Sequence, residues 1–375
     1  MTKAFLVAAP ALLALVACNS DQPTAPRPAA GLNAAAAVAL KDSQFYRQHN
    51  LVSDQPGVAD VQDPDLVNAW GLVASATSPW WISDNGADRS TLYNGNSGLK
   101  LALTVSVSGA PTGVVFNGGS GFVVSNGTAS AAARFIFATE GGMILGWNPA
   151  VAPATAQVAV DNSGVGAVYK GLTSATTASG DLLYATNFHA GTVDVFDNSF
   201  HAVTLAGGFA DPDLPAGYAP FGIRVLGGVI YVTYALQDAD AHDDVAGPGH
   251  GFVDAFDLAG NLLRRVASGA RLNSPWGLAI APAAFGRFGG TLLVGNFGDG
   301  RINAFDLGAA SGTGEALMRG QLMSADGGPI TIDGLWALSF GNGAAAGPVS
   351  TLFFTAGPEG EAHGLFGSLV AAPPR

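Results

Sequence analysis

PWGLAIA (residues 275–281) followed by LLVGNFGDGRINAFD (292–306) is one copy of a pattern that runs through the whole chain. A short apolar run with Gly at its third position leads into a β-rich run, a Gly-containing turn, and a strand ending in an aromatic and Asp. Alternating apolar residues bounded by turn formers read as short strands rather than helix. The first half recurs as AWGLVAS (69–75), PTGVVFN (111–117), YKGLTSA (169–175), PFGIRVL (220–226) and LWALSFG (335–341). The second half recurs as WWISDNGADRSTLYN (80–94), FIFATEGGMILGWN (135–148), LLYATNFHAGTVDVFD (182–197), IYVTYALQ with GFVDAFD (230–237, 251–257), and LFFTAGPEGEAHGLFG (352–367).

The closing aromatics Tyr93, Trp147, Phe196, Phe256, Phe305 and Phe366 stand about 50 to 60 residues apart, the spacing of propeller blades. Six copies predict an all-β fold, a six-bladed β-propeller. Gly71, Gly113, Gly171, Gly222 and Gly277, with Ala337 in the sixth copy, suit an innermost strand crowded against the axis. After the sixth copy only GSLVAAPPR remains, too little for an outer strand. HNLVSD (49–54) precedes the first inner strand and has no other partner, so it is predicted to close blade six and remove an open edge. Two separate sandwiches would not explain one motif spread evenly over the chain.

The amino end has a different character. In MTKAFLVAAPALLALVAC, Lys3 supplies a positive start, Phe5 to Val16 an apolar run, and the last four residues a small-residue cleavage site. The run is shorter than the roughly 20 residues a spanning helix needs, which makes it a secretory signal. Its end resembles the lipobox of bacterial lipoproteins, which implies lipidation of Cys18, the only cysteine. Residues 19–43 are rich in Ala and Pro and read as a flexible tether. The predicted layout is therefore 1–18 signal peptide, 19–43 tether, 44–375 propeller, exported and lipid-anchored in a cell envelope. Asn19 after the cysteine favours the outer membrane by analogy with enteric sorting. Of 375 residues 52 are Gly and only 12% are charged, which suits tightly turned strands. A net charge of −12 argues against nucleic acid or an anionic membrane surface, leaving the membrane to the lipid anchor alone.

The repeat is similar to that of the NHL class of propellers, whose units end in a like aromatic-Asp pair. With NLVSDQPG (50–57), AWGL (69–72) and QDADAHDDVAGPG (237–249), the chain resembles an uncharacterised family of exported bacterial six-bladed propeller proteins. That resemblance implies a fold and no activity.

Strand parity places the lead-in to each innermost strand and the loop between strands two and three on one face. The residues preceding the inner-strand glycines are Trp70, Thr112, Lys170, Phe221, Trp276 and, in the sixth copy, Trp336. Four aromatics and one cation read either as packing between blades or as an aromatic-lined pocket for a small molecule, glycan or protein side chain. The insert QDADAHDDVAGPGHG (237–251) overhangs the same mouth. Asp238, Asp240, Asp243 and Asp244 offer hard oxygen ligands suited to Ca2+, and His242 or His250 would shift the preference toward a transition metal. The alternative is a solvated loop whose Asp side chains cap their own turns. DPDL recurs at 63–66 and 211–214, where turn chemistry explains it adequately.

Catalytic templates are absent: no Gly-x-Ser-x-Gly, no His-Glu-x-x-His and no phosphate loop. Calcium-dependent lactonase propellers carry Glu, Asn and Asp near the positions held here by Trp, Thr, Lys and Phe. Quinone-dependent sugar dehydrogenases share the six-bladed plan, and by that likeness His189, beside Lys170, is a candidate base. The sequence favours a non-catalytic envelope binding module; the alternative is a metal-dependent hydrolase or lyase at the channel mouth.

Overall fold

A computed structural model describes residues 1, 42–312 and 314–373. Cys18, the signal and nearly all of the tether lie outside the described residues. Among those described, no helix is long and apolar enough to cross a membrane.

The chain folds as a six-bladed β-propeller: six sheets around one axis, each an antiparallel blade, with two short strands pairing parallel to the closing strand of the sixth. Blade three shows the plan, with Tyr169–Thr177 innermost, then Gly180–Asn187, Thr192–Asp197 and Ala202–Val203 at the rim. The other innermost strands are Ala69–Val73, Pro111–Phe116, Tyr218–Leu226, Pro275–Ile280 and Leu335–Phe340. Blade six takes its fourth strand from the other end of the chain: Phe45–Ser53 pairs antiparallel with Leu365–Ala372. The closing strand thus begins four residues before HNLVSD. Tyr46 anchors the extra turn of chain, its ring stacked 4.6 Å from Phe285 and its hydroxyl donating to Phe285 O at 2.9 Å.

The inner glycines are crowded by the next blade rather than by the axis. A Cβ at Gly222 would lie 2.2 Å from Trp276 O, and one at Gly113 would lie 2.3 Å from Leu172 N. Such approaches exclude any side chain, so these glycines set how closely blades stack. A hydroxyl on the second strand completes each of several joints. Thr186 Oγ1 accepts from Gly171 N–H at 2.7 Å and donates to Phe221 O of blade four at 2.7 Å. At the closing joint Thr355 Oγ1 accepts from Ala337 N–H at 3.1 Å and donates to Trp70 O of blade one.

A second regularity positions the site. The pairing of the inner strand with its neighbour slips at the residue before the glycine, for example between Tyr169 and Gly171, between Pro275 and Gly277, and between Ala69 and Leu72. A β-bulge adds a residue and re-aims its side chain. Repeated around the ring, it turns Trp70, Lys170, Phe221, Trp276 and Trp336 toward one end of the channel.

Candidate functional site: an acidic mouth over an aromatic plug

Four of the aromatics singled out by sequence come together at the axis. Trp336 is sandwiched between Trp70 at 3.5 Å and Phe297 at 4.1 Å, both rings nearly parallel to it. Trp276 meets the pair edge-on, at 6.2 Å from Trp70 and 5.9 Å from Trp336. Phe221 and Phe188 complete the cluster. Trp70, Phe221 and Trp336 are each 1% exposed, so these rings form a plug rather than the walls of an open pocket. Thr112 is buried between blades, its hydroxyl donating to Tyr169 O at 2.8 Å.

Lys170 stands above this plug. Its ammonium is 5.3 Å from the Trp70 ring centroid and 6.0 Å from that of Phe188, within cation–π range. It donates to Glu140 Oε1 and, at 3.0 Å, to Asp243 Oδ1. Burial pushes the Lys170 pKa down, but Glu140 and Asp243 outweigh it and hold the ammonium above the usual lysine value. For Asp243 burial acts upward, and Lys170 and His242 bring the carboxyl below its usual range.

Glu140 continues the network around the mouth. Its Oε2 accepts from Asn85 Nδ2 at 2.8 Å, and Asn85 Oδ1 accepts from Asn68 Nδ2 at 3.1 Å. Asn68 also donates to Glu361 Oε2 at 2.6 Å and accepts from the Trp336 indole N–H at 3.1 Å. Asn68 holds φ of 47°, a left-handed conformation that Asn tolerates well. Burial raises the Glu361 pKa, and the charges of Glu140 and Asp243 raise it further. Two carboxylates therefore share one buried ammonium, and Glu361 joins the network through Asn68.

The insert divides its residues. Asp243 joins Lys170, and His242 Nδ1 lies 2.9 Å from Asp243 Oδ1. Asp238 caps its own turn, accepting from His242 N–H at 2.9 Å. Asp240 is exposed. Asp244 Oδ2 is buried without a hydrogen-bond partner among the described residues, and burial raises its pKa. The acidic residues of the insert thus diverge rather than surround one point. His250 Nδ1 lies 2.8 Å from Val245 O and fastens the insert to itself. Among the described residues, Glu140, His242 and Asp243 are the group whose ligand atoms lie within 4.8 Å of one another. His189 is exposed on the rim, and its backbone carbonyl lies 3.5 Å from Gln237 Nε2. The DPDL segments serve structure: Asp63 and Asp65 bind Lys100, Asp65 also binds Arg89, and Asp211 pairs with Arg265.

Sequence reasoning missed Asn85, Glu140 and Glu361. For the first two a signal was present. Aligned on the second strand, Asn85, Glu140, Phe188, Ala235, Phe297 and Gly357 occupy one position, at the start of the turn that faces the mouth. A Cβ at Gly357 would lie 2.2 Å from Asn68 Oδ1, which places that position at the mouth in blade six as well. Glu361 lies farther along a longer turn and has no counterpart in the other copies.

No protein-family model matches the chain. It is 33% identical over 341 residues to uncharacterised protein L690 of Acanthamoeba polyphaga mimivirus, covering 87% of this chain and 86% of the relative. It is also 33% identical over 337 residues to uncharacterised protein R648 of the same virus, covering 86% and 80%. Among solved structures, a protein of unknown function from Bacteroides thetaiotaomicron is 11% identical with a TM-score of 0.52, over 88% of this chain and 74% of that one. A luciferin-regenerating enzyme is 13% identical with a TM-score of 0.50, over 82% and 92%. At such identities the likeness is one of fold.

Proposed function

Because the chain belongs to the family of the mimivirus proteins L690 and R648, both uncharacterised, we propose its function from its own geometry: a non-catalytic binding module whose binding face is the acidic mouth. The observation that carries this reading is the position of Lys170. Its side chain is 2% exposed and already occupies the space between Glu140 and Asp243, while stacked indoles fill the channel beneath. A substrate has no route into the bore from this side. What remains accessible is a rim of carboxylate: Asp243, 65% exposed on its side chain, with Asp240 beside it. Such a rim suits a ligand bearing a basic group, whether a small amine, an amino sugar or a Lys/Arg side chain of a protein. Calorimetric titration with spermidine, a chitosan oligomer and a neutral oligosaccharide tests this. The cationic probes should bind, weaken as salt rises, and lose about tenfold in Asp243→Asn, which corresponds to about 1.4 kcal/mol. Equal binding of the neutral sugar, or no effect of the substitution, would overturn the reading.

A second reading rests on Glu140, His242 and Asp243, which could hold a divalent ion for a hydrolase or lyase at the mouth. Two carboxylates and an imidazole suit a transition metal better than the Ca2+ expected from the acidic insert. The fit is opposed by Lys170, whose ammonium binds Glu140 and the same Asp243 oxygen that faces His242. Elemental analysis of the purified protein, with metal calorimetry on Lys170→Met, separates the readings: stoichiometric metal in the unsubstituted protein would favour the enzyme. The amino-terminal sequence supports display of this module from a bacterial outer membrane through a lipid on Cys18.

A further inference from the structure

The far end of the channel differs from the mouth in both charge and shape. There the inner strands of all six blades line a cavity of about 270 Å³, including Val73, Val115, Thr173, Arg224, Leu278 and Leu338. Arg224 leaves the inner strand of blade four and reaches across the next two blades. Its Nη1 donates to Leu278 O at 2.8 Å and to Leu338 O, and its Nη2 donates to Ser339 Oγ at 2.9 Å. These bonds use three of the five N–H groups. The Nε–H and the second Nη2–H donate to no group among the described residues, and no carboxylate lines the cavity. Burial lowers the Arg224 pKa to about 10, with no acidic neighbour to offset it, so it stays cationic at neutral pH.

A largely buried charge is ordinarily paired, because leaving it without a counter-ion is costly, and Arg224 is half-buried at the cavity. This chain has 28 acidic residues against 16 basic ones, so acids are plentiful and yet none is placed here. The open Nε and Nη2 groups form the lateral edge of the guanidinium, which fits a planar carboxylate through two parallel hydrogen bonds. The surrounding walls mix the apolar side chains Val73, Val115, Leu278 and Leu338 with backbone and hydroxyl groups in about equal share. The two oxygens of a carboxylate fill both N–H groups of that edge and an apolar body can meet these Val and Leu side chains, whereas a tetrahedral inorganic anion has no apolar part to place against them.

We propose that the far end of the channel is a binding site for a small organic carboxylate, held at two points by Arg224 Nε and Nη2. The site is independent of the mouth and of any ligand bound there.

The test is calorimetric titration of the purified protein with benzoate and, separately, with inorganic phosphate. Benzoate should bind at one site and phosphate should not. Arg224→Lys keeps the charge but loses the fork, and should weaken benzoate at least tenfold. Because Arg224 also bonds two blades, that variant loses inter-blade bonds as well, so Ser174→Phe is tested beside it. Ser174 lines the cavity, and a phenyl group there obstructs the space while leaving the three Arg224 bonds in place. It should abolish benzoate binding with the fold intact by circular dichroism, while Asp243→Asn should leave that binding unchanged. Tighter binding of phosphate, no binding of benzoate up to about 10 mM, or unchanged binding in Ser174→Phe would each overturn the proposal.

Discussion

Replacing Lys170 with Met removes the only ammonium that the described residues bring to the mouth while keeping most of its volume. The side chain is 2% exposed, Glu140 is 15% exposed and Asp243 is 65% exposed. Breaking a buried pair by deleting one partner costs about 3–5 kcal/mol, mostly because the remaining charge is stranded. Asp243 can rehydrate where it stands, whereas Glu140 cannot, which puts the loss near the lower end, about 3 kcal/mol. With about 330 folded residues at about 2.1 cal/mol/K each, the unfolding entropy is about 0.7 kcal/mol/K, so Tm should fall by about 4 °C. The pH dependence follows from the raised Lys170 pKa. Its stabilisation is fully present below the unfolded lysine value of about 10.4 and is lost as pH rises through the higher folded value. The deficit of the variant should therefore stay constant from neutral pH to about pH 9 and shrink only beyond pH 10. Scanning calorimetry of both proteins across that range is the assay. Adding Glu140→Gln to Lys170→Met should recover part of the loss. A variant melting within 1 °C of the parent at pH 7, or a double variant worse than the single, would refute the electrostatic account.

Glu361→Gln should raise Tm at neutral pH, since the folded carboxyl titrates above its usual value. That carboxylate costs nothing below an unfolded pKa of about 4.3 and costs progressively more as pH rises through the folded value, so the gain should vanish in melts at pH 4. Thr186→Val should leave Gly171 N–H and Phe221 O without their shared hydroxyl and cost about 1–3 kcal/mol in urea unfolding. A chain starting at residue 56 loses the closing strand and should melt lower and aggregate by light scattering, whereas one starting at residue 42 should match the parent. Cys18→Ser should move the expressed protein from membranes to the soluble fraction on fractionation; unchanged partitioning would reject the lipid anchor.

The ring itself was legible because its constraints are local and repeat. Each inner glycine answers the same backbone approach, and each closing aromatic fills the same place between sheets. The closing strand was legible from counting, although its start was not: Tyr46 is placed by contacts with Phe285 and Phe288, more than two hundred residues away. The mouth was less legible. That residues before the glycines turn toward the channel depends on bulges, and no residue type advertises those. The dense acidic run at 238–244 drew attention from Glu140, an isolated acid in a plain turn that makes the closer partnership. Within the run, Asp238 is claimed by its own loop before any ligand could be, since its carboxylate accepts from a backbone N–H only four residues on, whereas a cation site gathers groups over many. Arg224 looked like an ordinary strand residue, because nothing in PFGIRVL shows that its neighbours across the bore are carbonyls.

Closure of blade six by Phe45–Ser53 sets a timetable for the nascent chain. The strand is made first, but its partner at Leu365–Ala372 is made more than three hundred residues later. At about 5–20 residues per second, this edge waits roughly 15–60 s for a companion. An unpaired strand held open that long is a template for mispairing. The composition of FYRQHNLVS is suited to the delay: Arg47, Gln48 and His49 are polar and remain exposed in the finished ring, interrupting what would otherwise be a continuous sticky edge. Substituting these three with Val should leave the folded propeller nearly as stable, yet lower the yield of soluble protein made by translation, with the loss greatest when ribosomes are slowed.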